Sequence, residues 1–196
     1  MHRFFADERG VVQGAAYLNA EDAGHALRVL RLESGDEVEL VCAPARYRAK
    51  IDSTEGGEVR LRVIEKLRDT EARTRVTLYQ GLPKADKMEL IVQKSTELGA
   101  AAIAPVAMIR SVVKLEGKDA AKKTERWQKI AREAVKQCAR VSAPEVRLPR
   151  KLSAMREELN ALDVLIVPWE DARDGSVADC LAPFAQKEDV SVGILI

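Results

Sequence analysis

Apolar and polar residues alternate with a period of two through most of the first 70 residues. Three segments place their apolar side chains on one face of an extended chain in this way: residues 37–40, 46–51 and 59–64. A helical pattern interrupts them at residues 20–30, where apolar residues recur at positions i, i+3, i+4 and i+7 and Asn19 is placed to cap the first turn. Short antiparallel strands with one helix predict a small closed β-barrel as a separate domain, residues 1–70.

The pattern changes after residues 68–74, a charged segment that is poor in apolar residues. Continuous apolar runs then alternate with amphipathic stretches, which is typical of a parallel sheet covered by helices on both faces. The predicted strands are residues 76–79, 101–106, 164–167 and 190–196, and the predicted helices are residues 86–98, 120–140, 152–159 and 176–184. The sequence therefore predicts an α/β domain over residues 75–196.

Two of these helices are specified in more detail. Asp86 and Glu89 have the spacing of a capping pair at the start of the first helix, Gly99 is placed to end it, and Leu98 is predicted to face the core. In the long second helix, Trp127 lies on the apolar stripe. That position favours a role in the core over a role as a platform for stacked bases.

The composition, with 46% apolar and 32% charged residues, is that of a globular protein. No apolar run reaches the roughly 18 residues of a membrane helix, and acidic residues at positions 7 and 8 argue against a secretory signal. We therefore expect a cytoplasmic protein that does not enter a membrane. Three widely spaced cysteines and two histidines predict neither a disulfide framework nor a metal site.

The net charge of +1 conceals a strong asymmetry along the chain. Residues 114–151 carry 12 Lys and Arg against 5 Asp and Glu, a net of +7, whereas residues 152–196 carry 3 against 9, a net of −6. Such a basic block is typical of a surface that binds a polyanion, and the alternative is a solvated helix face with ion pairs. Arg126 and Lys129 belong to a basic stripe on the long helix, with Glu133 placed to pair with Lys129.

The helix of the barrel domain carries a second group of candidates. Arg28 and Arg31 lie three residues apart and off the apolar face, with His25 beside them. They can position a phosphate of a bound RNA, or they are simply solvated.

None of the common motifs for nucleophilic, nucleotide or zinc chemistry occurs in the sequence. Such a protein needs a cofactor that brings its own reactivity, and a sulfonium methyl donor fits because methyl transfer mainly requires alignment of donor and acceptor. Ligands of open α/β sheets lie beyond the carboxyl ends of the strands. A functional loop is therefore expected to follow the strand that ends at Ile196.

An ordered series of short motifs carries a resemblance that extends over nearly the whole chain. The motifs are residues 25–31 (HALRVLR), 80–89 (QGLPKADKME), 93–99 (QKSTELG), 110–114 (RSVVK), 126–134 (RWQKIAREA), 137–140 (QCAR) and 144–146 (PEV). Together they resemble the RsmE family of bacterial ribosomal RNA methyltransferases. The resemblance implies an N-terminal PUA-like β-barrel that binds RNA, followed by a SPOUT-type α/β methyltransferase domain with a deep trefoil knot, in a homodimer. It also implies transfer of a methyl group from S-adenosylmethionine to N3 of a uridine in 16S ribosomal RNA of the small subunit.

The resemblance also assigns cofactor residues. Pro168, Trp169 and Glu170 match the first cofactor loop of the family, and Leu195 and Ile196 match the approach to its glycine-rich loop. That loop and the last knot segment are not among the 196 residues, so we expect an incomplete knot and weak binding of the donor by the chain as given.

Arg110 is predicted to be the catalytic residue, because its guanidinium can hold an oxyanion of the base or of a phosphate through two hydrogen bonds. Lys94, Gln137 and Arg140 are predicted to hold the RNA together with the basic residues named above. Two alternatives stay open: a ribosomal-RNA-binding module without catalysis, and a SPOUT methyltransferase that modifies a different RNA nucleotide.

Overall fold

The computed structural model describes residues 1–68, 71–84, 86–109, 115–138, 140–172 and 175–196. The chain divides into two compact units, Met1–Thr70 and Glu71–Ile196.

The first unit is a five-stranded sheet that closes on itself. Its strands are β1 (His2–Phe5), β2 (Ala15–Tyr17), β3 (Glu37–Cys42), β4 (Ala45–Ser53) and β5 (Arg60–Lys66), in the order β1-β3-β4-β5-β2. An antiparallel bridge between Ala6 and Leu18 joins the two outer strands just beyond their ends. The predicted β-barrel is confirmed, although β1 and β3 run parallel, which the expectation of antiparallel strands did not include.

One helical segment packs against the barrel core. Helix α1 (Ala20–Gly24) continues as a π-helical turn over His25–Val29. The Asn19 side chain accepts a hydrogen bond from the Asp22 N–H at 2.9 Å, which confirms the predicted cap. The Asp22 carboxylate accepts from the Phe5 N–H at 2.6 Å and so ties the helix to β1.

The second unit is built on a parallel sheet in the order β10-β11-β6-β7-β8, with β9 also paired to β7. Its strands are β6 (Arg75–Gly81), β7 (Ala102–Ala107), β8 (Glu145–Val146), β9 (Arg150–Lys151), β10 (Val164–Ile166) and β11 (Ser191–Leu195). Its helices are α2 (Lys87–Glu97), α3 (Gly117–Cys138), α4 (Arg156–Asn160) and α5 (Val177–Leu181). The predicted α/β architecture is confirmed, and the two short strands β8 and β9 are additional to it.

Helices cover both faces of this sheet. On one face, α2 and α3 pack through Met88, Val92 and Trp127 against Ile103 of β7, which confirms the predicted core position of Trp127 at 3% exposure. The opposite face is covered by α4 and the turn before it. Leu98 is 87% exposed because it follows the last turn of α2, so its predicted core position is wrong.

The order of the strands changes direction at β6. One neighbour of β6 is the next strand along the chain, β7, and the other is the last strand, β11. At the carboxyl ends of β6 and β11, the carbonyl oxygen of Ile196 accepts from the Gly81 N–H at 2.7 Å. A Cβ atom at position 81 would lie 3.0 Å from that oxygen, so glycine permits this close approach. None of the described helices combines the length and apolar character that crossing a bilayer requires.

Candidate functional site

The residues predicted to bind the cofactor lie on two neighbouring strand ends. Pro168, Trp169 and Glu170 follow β10 in a turn closed by the Ala172 N–H and the Trp169 carbonyl at 3.1 Å, and all three are exposed. Ile196 follows β11, which pairs in parallel with β10, and is also exposed. Because parallel strands end at the same edge of a sheet, the two predicted segments lie side by side at the carboxyl ends of β10 and β11.

The chemistry of this edge suits a nucleoside cofactor. Trp169 is 67% exposed and Val167 and Ile196 also reach solvent, which offers apolar surface to a purine ring. Leu195 is partly buried and packs against the cluster that contains Tyr79. The Glu170 carboxylate can accept hydrogen bonds from hydroxyl or amino groups. In the part of the chain that the structure describes, no group of His, Cys, Asp and Glu could hold a metal ion.

Arg110, the predicted catalytic residue, lies outside the described residues. Lys94 lies on the solvent side of α2, where its ammonium group contacts the Glu97 carboxylate at 2.7 Å. Hydrogen bonds from Lys94 and Gln93 lower the pKa of Glu97. This local pairing is typical of a solvated helix face, and a role of Lys94 in RNA binding stays a prediction.

The basic stripe of α3 is narrower than its sequence indicates. Lys129 is exposed, and Glu133 pairs with Lys136 at 3.2 Å, so the predicted pair between Lys129 and Glu133 is wrong. Within the described ranges, no ion pair involves Lys129. Arg126 contacts the Glu89 carboxylate at 2.8 Å and is exposed. Gln137 is exposed near the end of the same helix.

Arg140 is placed differently from the other predicted RNA residues. Its side chain is 11% exposed and pairs with Glu71 at 2.8 Å. A second nitrogen donates to the carbonyl groups of Thr96 and Ala100 at 3.1 and 2.8 Å. Arg140 therefore ties the start of the unit to the end of α2, and its contact with RNA stays a prediction.

The candidates on the barrel unit surround its π-helical turn. His25, Arg28 and Arg31 are all exposed. The Arg28 side chain folds back over Gly24 at the end of α1. A Cβ atom at position 24 would lie only 2.5 Å from its guanidinium. The turn therefore presents a cationic surface to solvent, and its binding to RNA stays a prediction.

A family model described as an RNA methyltransferase domain matches residues 70–196. The chain belongs to this family. A relative named Ribosomal RNA small subunit methyltransferase E, from Bacillus subtilis, is 37% identical over 158 residues, which cover 79% of this chain and 61% of that protein. The chain thus spans about three fifths of that relative. The resemblance to the RsmE family is confirmed.

Two solved structures share the fold along its whole length. A structure described only as a hypothetical protein is 30% identical, covers 99% of this chain and 79% of its own, and has a TM-score of 0.81. A Ribosomal RNA small subunit methyltransferase E from Neisseria gonorrhoeae, bound to S-adenosyl methionine, is 26% identical. Its match covers 100% of this chain and 79% of its own, with a TM-score of 0.70.

This RsmE-family chain contains a polar network that sequence reasoning missed. The Tyr79 hydroxyl donates to the Glu158 carboxylate at 2.8 Å, and Arg147 and Arg150 also pair with Glu158. Burial and the bond to Glu158 raise the pKa of Tyr79 to about 12. The network ties β6 to α4 and so holds β6, a central strand of the sheet, in place. A tyrosine within an apolar strand was the signal, since a buried hydroxyl needs a partner.

A small pocket lies between the starts of α2 and α3. It has a volume of about 210 Å³. Its lining consists of Leu82, Pro83, Asp86, Met88, Glu89, Leu115, Lys123 and Trp127. The predicted capping pair at this helix start is wrong: the Asp86 side chain makes no capping hydrogen bond, and Glu89 turns to Arg126 of α3.

Proposed function

We propose that this chain belongs to an S-adenosylmethionine-dependent methyltransferase that modifies N3 of a uridine in 16S ribosomal RNA of the small subunit. The observation that carries the proposal is the carboxyl edge of the sheet, where the neighbouring parallel strands β10 and β11 end shortly before Trp169 and Ile196. The printed name of the Bacillus subtilis relative and the cofactor bound to the Neisseria gonorrhoeae protein support it.

In this proposal the turn after β10 and the end of β11 hold the cofactor. Pro168 and Trp169 provide an apolar surface beside the Glu170 carboxylate, and Leu195 and Ile196 provide the opposite wall. When bound, S-adenosylmethionine supplies a methyl group on a positively charged sulfonium, so no activated protein nucleophile is needed. The apolar side chains exclude water and orient the reacting groups, which is the main requirement of a methyl transfer.

The target nitrogen of uridine is a weak nucleophile while it carries its proton. Loss of that proton places negative charge on the base, and a nearby cation stabilises that charge. We assign this role to Arg110. The exposed cations hold the RNA backbone in our proposal: His25, Arg28 and Arg31 on a PUA-like domain of residues 1–70, and Lys94, Arg126 and Lys129, with Gln137, on a methyltransferase domain of residues 75–196.

The proposal also covers the oligomeric state of the protein and its place in the cell. The protein acts as a homodimer, as the family resemblance implies. It works in the cytoplasm, because its substrate is the RNA of the small ribosomal subunit.

The test is a methyl-transfer assay with the full polypeptide that contains this sequence. Purified small ribosomal subunits lacking the modification are incubated with S-adenosylmethionine that carries a labelled methyl group, and digested RNA is searched for 3-methyluridine by mass spectrometry. We expect 3-methyluridine at one position. Trp169→Ala should weaken binding of the cofactor by about tenfold, since a lost aromatic contact costs about 1.4 kcal/mol.

A matched control is Arg73→Ala, which removes an exposed side chain outside the proposed site and should leave the reaction unchanged. Binding to subunits without methylation would support the non-catalytic RNA-binding module instead. A methyl group on another nucleotide would support the second alternative.

A further inference from the structure

The carboxyl end of β11 is joined to β6 by two backbone hydrogen bonds. The Ile196 N–H donates to the Tyr79 carbonyl at 3.0 Å, and the Ile196 carbonyl accepts from the Gly81 N–H at 2.7 Å. Leu195 lies opposite Tyr79 in the register of the two strands. The position of Leu195 and Ile196, the wall that we assign to the cofactor, therefore depends on β6 and above all on Tyr79.

The side chain of Tyr79 also contacts β11. A Cβ atom at position 193 would lie 3.1 Å from the Tyr79 ring, so Gly193 lets the ring lie close to the backbone of β11. Leu195 packs against the cluster that contains Tyr79, and Tyr79 itself is only 1% exposed. Because a close-packed interior transmits displacements, a movement of this ring disturbs the end of β11.

One hydrogen bond fixes the free end of the ring. The Tyr79 hydroxyl donates to the Glu158 carboxylate at 2.8 Å. Arg147 and Arg150 pair with the same carboxylate and so hold Glu158 in place. A carboxylate is a stronger acceptor than a neutral oxygen. The ring is therefore held by α4 at its hydroxyl and by β6 at its backbone.

We infer that Tyr79 is a positioning residue for the cofactor wall formed by Leu195 and Ile196, and that Glu158 holds Tyr79 in the position that this wall requires. Without the hydroxyl, the wall is in place in a smaller fraction of the molecules, and the apparent affinity for the ligand falls by that fraction. Saturating ligand selects the molecules in which the wall is in place. The inference rests on the proposed function for the identity of that ligand.

Tyr79→Phe tests the inference, because it removes the hydroxyl and keeps the ring. In calorimetric titration of the full polypeptide, S-adenosylmethionine should bind about fivefold more weakly, the contribution of one hydrogen bond. In the methyl-transfer assay, the KM for S-adenosylmethionine should rise by the same factor and kcat should stay close to that of the wild type, because saturating cofactor restores the wall. Adding Tyr79→Phe to Glu158→Leu should weaken binding no further than Glu158→Leu alone, since the two side chains act as one unit.

Two matched controls separate positioning from stability and from the loss of a hydroxyl as such. Val92→Ala opens a cavity in the core between α2 and α3, on the other face of the same sheet. It should destabilise the unit and leave the affinity for S-adenosylmethionine unchanged. Tyr47→Phe makes the same chemical change in the barrel unit and should also leave that affinity unchanged.

Amide hydrogen exchange gives a readout that needs no ligand. In Tyr79→Phe, the Ile196 N–H should exchange severalfold faster in a nitrogen–proton NMR experiment. The Arg75 N–H donates to the Val190 carbonyl at 2.8 Å at the other end of the same strand pair, and its exchange rate should not change. A general loss of stability would accelerate the exchange of both amides.

The inference fails if Tyr79→Phe binds S-adenosylmethionine as tightly as the wild type, if Val92→Ala weakens binding as much, or if kcat falls while KM stays constant. It also fails if the Ile196 and Arg75 amides respond alike. A wild-type polypeptide that does not bind S-adenosylmethionine would overturn the proposed function. A wild type that binds it, together with a Tyr79→Phe variant that binds it equally well, would overturn this inference alone.

Discussion

Replacing Arg140 by methionine should destabilise the unit Glu71–Ile196. Arg140 is almost buried, and its guanidinium makes an ion pair with Glu71 and two hydrogen bonds to carbonyl groups at the end of α2. Methionine keeps most of the volume of the side chain but donates no hydrogen bond. The substitution therefore isolates the polar contribution of the clamp.

The expected loss follows from the groups that stay behind. Removing one partner of a fully buried ion pair costs about 3–5 kcal/mol, because an uncompensated charge is left inside the protein. Glu71 is 21% exposed, so water can reach part of its carboxylate, and the Val141 N–H at 2.9 Å still donates to it. We therefore expect the free energy of unfolding to fall by about 2–3 kcal/mol.

Urea denaturation followed by tryptophan fluorescence measures this change. The signal reports on the part of the chain that contains Arg140, since Trp127 and Trp169 both belong to Glu71–Ile196. The control is Arg73→Met. Arg73 pairs with Glu188 at 3.2 Å, but its side chain is 80% exposed, so the loss should stay below about 0.5 kcal/mol. Equal losses for the two variants, or no loss for Arg140→Met, would refute the assignment of Arg140 as a structural clamp.

The same variant has a characteristic dependence on pH. Burial raises the pKa of Glu71, but hydrogen bonds from Arg140 and the Val141 N–H outweigh it, and the pKa lies below its usual value of 4.5. A carboxyl group with a lowered folded-state pKa stabilises the protein above the usual value, and this stabilisation disappears as the pH falls through the lowered value. The difference between wild type and Arg140→Met should therefore be largest near neutral pH and shrink as the pH falls from 4.5 through the lowered pKa of Glu71.

Three further outcomes are expected. Tyr79→Phe should cost about 1 kcal/mol of unfolding free energy in urea denaturation, because Glu158 loses one donor; absorbance titration of the wild type should show one of the three tyrosines ionising only near pH 12. A cost near zero would contradict the buried bond. Asn19→Ala should cost about 1 kcal/mol in the barrel unit, measured by amide hydrogen exchange of α1, and unchanged exchange would argue against the cap. Lys129→Ala should weaken RNA binding and reduce its dependence on salt, and an unchanged salt slope would return this residue to the solvated face.

The local pattern of the sequence was sufficient for most secondary structure. A period of two in the first 70 residues and a period near 3.6 in residues 117–138 each determine which side of an element is apolar, and burial of that side produces the barrel strands and α3. Trp127 belongs to the core for the same reason. The turn residue Gly99, with φ of +97°, ends α2 as the sequence predicts.

Other features depend on which segments become neighbours, and local periodicity does not contain that information. The pairing of β1 with β3 and of β11 with β6 joins segments that are distant in sequence. Trp169 and Ile196 lie at the same edge of the sheet only because β10 pairs in parallel with β11, which is also distant in sequence.

The choice of ion-pair partners is also a tertiary property. Helical spacing allowed Glu133 to pair with either Lys129 or Lys136, and side-chain conformations in the folded unit select Lys136. In the sequence, Arg140 belongs to a basic stripe that suits RNA. In the folded unit, its guanidinium instead contacts the Glu71 carboxylate and carbonyl groups at the end of α2. The sequence alone determined most of the elements, most of their apolar faces and the family. Only the tertiary structure decided which charges are exposed for a ligand, because exposure depends on contacts between segments far apart in the chain.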